Sequence, residues 1–249
     1  MVKVILVTGV SKGIGRKVVD NIFSSKEDAV VYGIARSEAP LESIKQQYGD
    51  RFFYVAGDVT DRTIVAKLVD DALARHGKID SIVANAGVLS PVQNIKEIDV
   101  EAWKKLYDVN FFSILTLISL TIHHLIKTKG NVILVSSNAS TQWYSGWGAY
   151  GSSKAALNHL ALTVAHEGDG VKAIAVEPGV VDTPMQNEIR EKVGPAGMSS
   201  EALKMFRDLK STGALLDSNI PASVYANLAL NGIPSDLNGL YVGYDDKRL

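Results

Sequence analysis

The sequence predicts an α/β fold: a doubly wound, seven-stranded, mostly parallel sheet with helices on both faces. Short β-branched runs alternate along the chain with longer segments of helical periodicity. Most of those runs are continuously apolar, as strands covered on both faces must be. At 249 residues the chain is also long enough to bury a large core without staples, and it has no cysteine to supply them. No repeat, low-complexity tract or linker divides it, so one domain over residues 1–249 is expected.

Strands are expected at 4–7, 29–34, 52–55, 81–83, 131–135, 171–176 and 240–242, with helices over roughly 14–26, 40–48, 61–76, 100–127, 150–167 and 221–231. The stretch 109–126 carries no charge but is dotted with polar residues, which fits a buried amphipathic helix rather than a membrane span. Segment 184–212 breaks the alternation. It is charged, helix-prone and interrupted by Gly194-Pro195-Ala196-Gly197, at a place where strands end and ligands bind. It reads as a lid over a site; the plainer alternative is a surface excursion.

Composition removes several classes of function. The balance of 26 Lys+Arg against 27 Asp+Glu lacks the basic excess of a general nucleic-acid or anionic-membrane binder. The absence of cysteine excludes a thiol nucleophile, a CxxC redox pair and a Cys-ligated zinc. His123, His124, His159 and His166 have no carboxylate at ligand spacing, so no metal is expected. The N-terminal apolar run is too short for a signal peptide and the C-terminal Lys-Arg-Leu only loosely echoes a peroxisomal signal, so a cytoplasmic location is expected.

The first strand runs into Gly9-Val10-Ser11-Lys12-Gly13-Ile14-Gly15, and a helix follows. Glycines there allow a tight turn and bring backbone N–H groups to a pyrophosphate at the helix N-terminus, the signature of a Rossmann-like dinucleotide site. The second strand ends with Ala35 where an acid would hold a ribose 2′-hydroxyl, and Arg36 follows. A guanidinium fork suits a 2′-phosphate, and Lys12 adds a charge from the other side, so NADPH is the expected cofactor. The alternative makes both surface cations and gives Glu38 the ribose.

Tyr150 and Lys154 lie four apart, on one face of the sixth expected helix. A phenol is a weak acid at neutral pH, and a neighbouring ammonium is expected to bring it towards the working range. Alone the spacing is a weak signal. Ser137, at the end of the fifth strand, strengthens it, because its hydroxyl could hold a carbonyl that Tyr150 protonates. Trp143, Tyr144 and Trp147 fall between these groups and are expected to border a substrate pocket, with core packing open for one of them.

Thr8-Gly9-x-x-x-Gly13-x-Gly15, Asp58-Val59, Asn85-Ala86-Gly87, Asn110, Ser137, Tyr150-x-x-x-Lys154 and Pro178-Gly179-x-x-x-Thr183 follow one another in the order and spacing of the short-chain dehydrogenase/reductase family. The resemblance spans essentially the whole chain, departing visibly only at Ala84, where the family often has Asn. Residues 238–246 and Trp147-Gly148-Ala149-Tyr150 resemble the branch of benzil reductases and sepiapterin reductase. The resemblance implies that Tyr150 is a general acid, that Ser137 polarises the carbonyl, and that Lys154 lowers the Tyr150 pKa and holds the nicotinamide ribose. It implies that Asn110 kinks its helix and anchors a water. Asp58 and Val59 would contact adenine, Asn85, Ala86 and Gly87 the adenosine ribose, and Pro178, Gly179, Val181 and Thr183 the carboxamide. A homodimer or homotetramer through the helices near 100–127 and 150–167 is also implied. The expected activity is NADPH-dependent reduction of ketones or vicinal diketones. A non-catalytic NADP(H) sensor is the rival, although such proteins tend to lose the catalytic side chains, and a sugar-nucleotide epimerase would want a larger C-terminal domain.

Overall fold

The structure, a computed structural model, describes residues 2–249. Seven strands form one sheet: β1 (Lys3–Thr8), β2 (Ala29–Ala35), β3 (Phe52–Ala56), β4 (Ser81–Ala84), β5 (Asn131–Val135), β6 (Lys172–Glu177) and β7 (Tyr241–Gly243). Their order is β3-β2-β1-β4-β5-β6-β7, and each neighbouring pair is parallel. The winding reverses between β1 and β4, which opens a crevice at the strands' C-terminal ends.

The two-residue period of a strand divides the core between the faces. Ile5, Val7 and Val31 pack with α1 (Gly13–Ser24), α2 (Glu38–Tyr48) and α10 (Asn219–Asn231) on one side. Val4, Leu6 and Tyr32 pack with α3 (Arg62–His76), α5 (Ser113–Thr128) and α6 (Gly148–Glu167) on the other.

The single helix expected over 100–127 is two helices, α4 (Val100–Tyr107) and α5, joined by a π turn over Asp108–Phe112. By length and composition Val100–Thr128 could cross a membrane. Its Ile114, Leu117, Ile118 and Leu125 instead face the sheet, at the spacing of one helical stripe.

Segment 184–212 folds as α7 (Pro184–Glu188), a second π turn over Ile189–Val193, α8 (Gly194–Gly197) and α9 (Ser200–Ser211). A third apolar cluster joins it to the sheet end: Ile189 and Phe206 pack with Leu89, Leu106, Trp147 and Tyr150.

Candidate active site

A cleft runs along the C-terminal ends of the strands, from the glycine loop to the 184–212 segment. At the loop end the first turn of α1 is bare. Lys12 at its N-cap makes no side-chain cap, and no acid lies in the first turn. By contrast, Asp61 caps α3 and Asp99 caps α4. The free N–H groups of α1 face a space lined by Gly9, Ser11, Lys12, Gly13 and Ile14, a ready anion cradle. Gly9 sits at φ +75, and a Cβ there would lie 2.8 Å from Asn85 Nδ2 and 3.0 Å from Ala86 Cα. Gly15 does not line the cleft. A Cβ on it would strike the Gly9 carbonyl and the Asn85 amide, so its part is close packing behind the loop rather than the ligand contact expected of it.

Asn85 clamps the loop, its Nδ2 donating to Thr8 O at 2.9 Å and to Gly9 O at 3.2 Å. The Thr8 hydroxyl accepts from the N–H groups of Asn85 and Ala86. Ala86, Gly87, Asp58, Val59 and Arg36 line the same end, and Pro178, Gly179, Val181 and Thr183 line the β6 side. Glu38 lies outside it. Two cations and bare helix amides therefore fit a nicotinamide dinucleotide.

Ser137, Tyr150 and Lys154 line the middle of the cleft, all three buried. The Ser137 hydroxyl neighbours the Tyr150 phenol and accepts from Ala139 N–H at 3.2 Å. Lys154 Nζ donates to Val135 O at 2.8 Å and stands 5.6 Å from the Tyr150 ring centroid. The expected lowering of Tyr150 is not what this geometry gives. Burial pushes the phenol up to about 12, and the neighbouring Ser137 hydroxyl offsets only part of that. The ammonium stands over the ring, and burial pushes Lys154 itself down to about 8. At neutral pH the phenol keeps its proton, which suits a donor.

Asn110 is fully buried in the π turn and stands behind the cleft wall instead of lining it. Its amide donates to Val88 O at 2.8 Å and Ser153 Oγ at 3.2 Å, while Oδ1 accepts from Val88 N–H at 2.8 Å. It pins the loop after β4 to α6, the helix that carries Tyr150 and Lys154.

The aromatic end corrects one expectation. Tyr144 and Trp147 line the cleft, whereas Trp143 is 84% exposed and borders a separate surface depression with Trp103 and Gln142. Tyr144, Trp147 and Tyr150 recur at every third position and turn inwards together; Trp143 is one residue off that spacing. Trp147 stacks on Tyr144 at 5.0 Å and on Phe206 at 5.3 Å, and meets Tyr150 edge-on at 5.5 Å. The sequence reading did not single out Phe206, Met185, Gln186 or Ile189, which also line the cleft. The apolar spacing of Leu203 and Phe206 was the available signal, but it does not say which surface α9 covers.

The model of the short chain dehydrogenase family matches residues 3–194. An uncharacterized oxidoreductase of Saccharomyces cerevisiae is 63% identical over 100% of this chain and 98% of its own length. A benzil reductase ((S)-benzoin forming) of the same yeast is 49% identical over 100% and 98%. The crystal structure of a short chain dehydrogenase/reductase from that yeast superposes with a TM-score of 0.97, at 63% identity over 98% of this chain and 97% of that one. A glycine cradle for a nicotinamide dinucleotide, a serine–tyrosine–lysine floor and these likenesses have one source: the chain is an oxidoreductase of the short-chain dehydrogenase family and resembles its yeast benzil reductase-like members.

Proposed function

We propose that the chain is an NADPH-dependent carbonyl reductase that converts aromatic vicinal diketones to hydroxyketones. The observation that carries this is that Ser137 and Tyr150 share one cleft with the Tyr144–Trp147–Phe206 wall, with Lys12 and Arg36 at its opposite end. The 49% identity to a protein named benzil reductase supports the same substrate class.

Arg36 and Lys12 would hold the 2′-phosphate, the bare amides of α1 would hold the pyrophosphate, and Pro178 to Thr183 would edge the carboxamide. Bound NADPH supplies the hydride. Ser137 Oγ donates a hydrogen bond to the substrate carbonyl, and Tyr150 Oη gives the same oxygen its proton. A protonated Lys154 beside the phenol stabilises the phenolate left behind. Segment 184–212 serves as the lid of a one-domain enzyme, shutting water out.

The test follows NADPH oxidation with benzil, diacetyl and acetone, in the wild type and in Tyr150→Phe. Benzil should exceed acetone by at least about 10-fold in kcat/KM. Tyr150→Phe should keep NADPH affinity and lose about 10²–10⁴-fold in kcat. A wild type that favours acetone, or a Tyr150→Phe variant retaining a tenth of kcat, rejects the assignment.

A further inference from the structure

We propose that Gln186 holds the second carbonyl oxygen of a vicinal dicarbonyl through a side-chain amide whose direction Arg190 fixes. This rests on the reading that the chain reduces such substrates. Gln186 and Arg190 lie one helical turn apart across α7 and the π turn after it, and each is about 95% buried, at 6% and 5% exposure. Arg190 makes no ion pair among the described residues. Its Nη1 donates to Gln186 Oε1 at 3.2 Å and its Nη2 to Asn187 Oδ1.

A guanidinium has donors only. An amide turned the other way would set N–H against N–H, so the contact settles the orientation: the oxygen faces Arg190 and the NH2 faces away. That nitrogen makes no hydrogen bond among the described residues and, unlike the Trp147 indole N–H, is not sealed off. Gln186 lines the cleft. Ile189, three residues on, lines it too and packs with Trp147, Tyr150 and Phe206. On this proposal the free NH2 opens at the aromatic end.

A diketone brings two acceptors into this space. One oxygen takes the Ser137 and Tyr150 hydroxyls; the other must find a donor or be buried unpaired. A monoketone has no use for the amide. Arg190 is a positioning residue, touching only Gln186 and Asn187 by its side-chain hydrogen bonds.

Benzil and deoxybenzoin have the same two rings and differ by one carbonyl; its activation of the neighbouring carbonyl is common to every variant, so the change in their kcat/KM ratio between variants reads the contact to the second oxygen. Gln186→Met keeps the length and removes the donor; the ratio should fall about 3–10-fold with NADPH affinity retained. Gln186→Glu pairs with Arg190, so the fold is kept, but it turns an acceptor to the cleft; the fall should be at least about 10-fold. Arg190→Met frees the amide to turn and should lower the same ratio, while Arg190→Lys should restore part of it. A ratio unchanged in Gln186→Met overturns the proposal, as does weaker NADPH binding with both substrates falling equally, which would place the amide against the cofactor. A wild type that ignores benzil overturns the functional reading as well. A wild type that prefers benzil, with a ratio indifferent to Gln186, overturns this proposal alone.

Discussion

Lys154 is an ammonium buried without a carboxylate, held by one carbonyl at 2.8 Å. Its pKa falls from an ordinary value of 10.5 to about 8, so the charged form is disfavoured in the folded chain. Below pH 8 it is protonated folded and unfolded, and the burden on stability is complete. Between about 8 and 10.5 the unfolded chain binds more protons, so stability contributed at this site rises with pH. Lys154→Met should therefore stabilise the cofactor-free protein at pH 7 by on the order of 1–3 kcal/mol while abolishing turnover, and the gain should shrink above pH 8. Urea denaturation of both proteins at pH 7 and pH 9.5 measures it; a variant less stable at pH 7 would refute the argument. At this scale the sequence was informative where chemistry follows from spacing, as in Tyr150-x-x-x-Lys154 and the glycine loop. It was silent on Gln186, whose direction depends on a neighbour folded against it, and misleading on the Tyr150 pKa, because burial outweighs a charge placed over the ring.

Among elements, α9 bears on specificity through a single side chain. Phe206 completes a stack with Trp147 and Tyr144, and Trp147 meets Tyr150 edge-on, so the 184–212 segment touches the proton donor through two aromatic contacts. Phe206→Leu keeps an apolar group but loses the flat face. It should reduce the benzil-to-diacetyl ratio of kcat/KM by about 3–10-fold, and steady-state kinetics with both diketones would show it. An unchanged ratio would make Phe206 packing only. Most elements were legible because their apolar periods were. The break in the 100–128 helix was legible only through the family resemblance, which implies a kink at Asn110; its form as a π turn was not, since it depends on Asn110 bonding to Val88, 22 residues earlier in the chain. Trp143 was misplaced because composition near a site does not specify which side of a turn faces inwards.

For the whole molecule, the alternation of strand and helix made a doubly wound parallel sheet legible, with ligands at its strand ends; the order β3-β2-β1-β4-β5-β6-β7 and the reversal between β1 and β4 come from the structure. Two large apolar side chains stay exposed on the α5–α6 side of the sheet: Phe112 at 52% in the π turn and Leu162 at 41% on α6. These lie on the helices through which the family resemblance implies a homodimer or homotetramer, and a self-complementary interface would cover such side chains. Light scattering should give a mass at least twice the 26.8 kDa of one chain. A Phe112→Glu/Leu162→Glu double variant should shift it towards a single chain. A wild type of single-chain mass would remove the proposal.

The uncapped start of α1 reaches beyond catalysis. A dinucleotide phosphate placed on the uncapped first amides of α1 would complete that helix, and the cofactor would then also help to keep the chain folded. Ligand at 100 times its Kd adds about 2.7 kcal/mol to the folded state, a large share of a typical stability. Chains made when the dinucleotide is scarce would then open more often and be cleared sooner by proteases. The cell's dinucleotide supply would set how much of this oxidoreductase persists, as well as how fast it turns over.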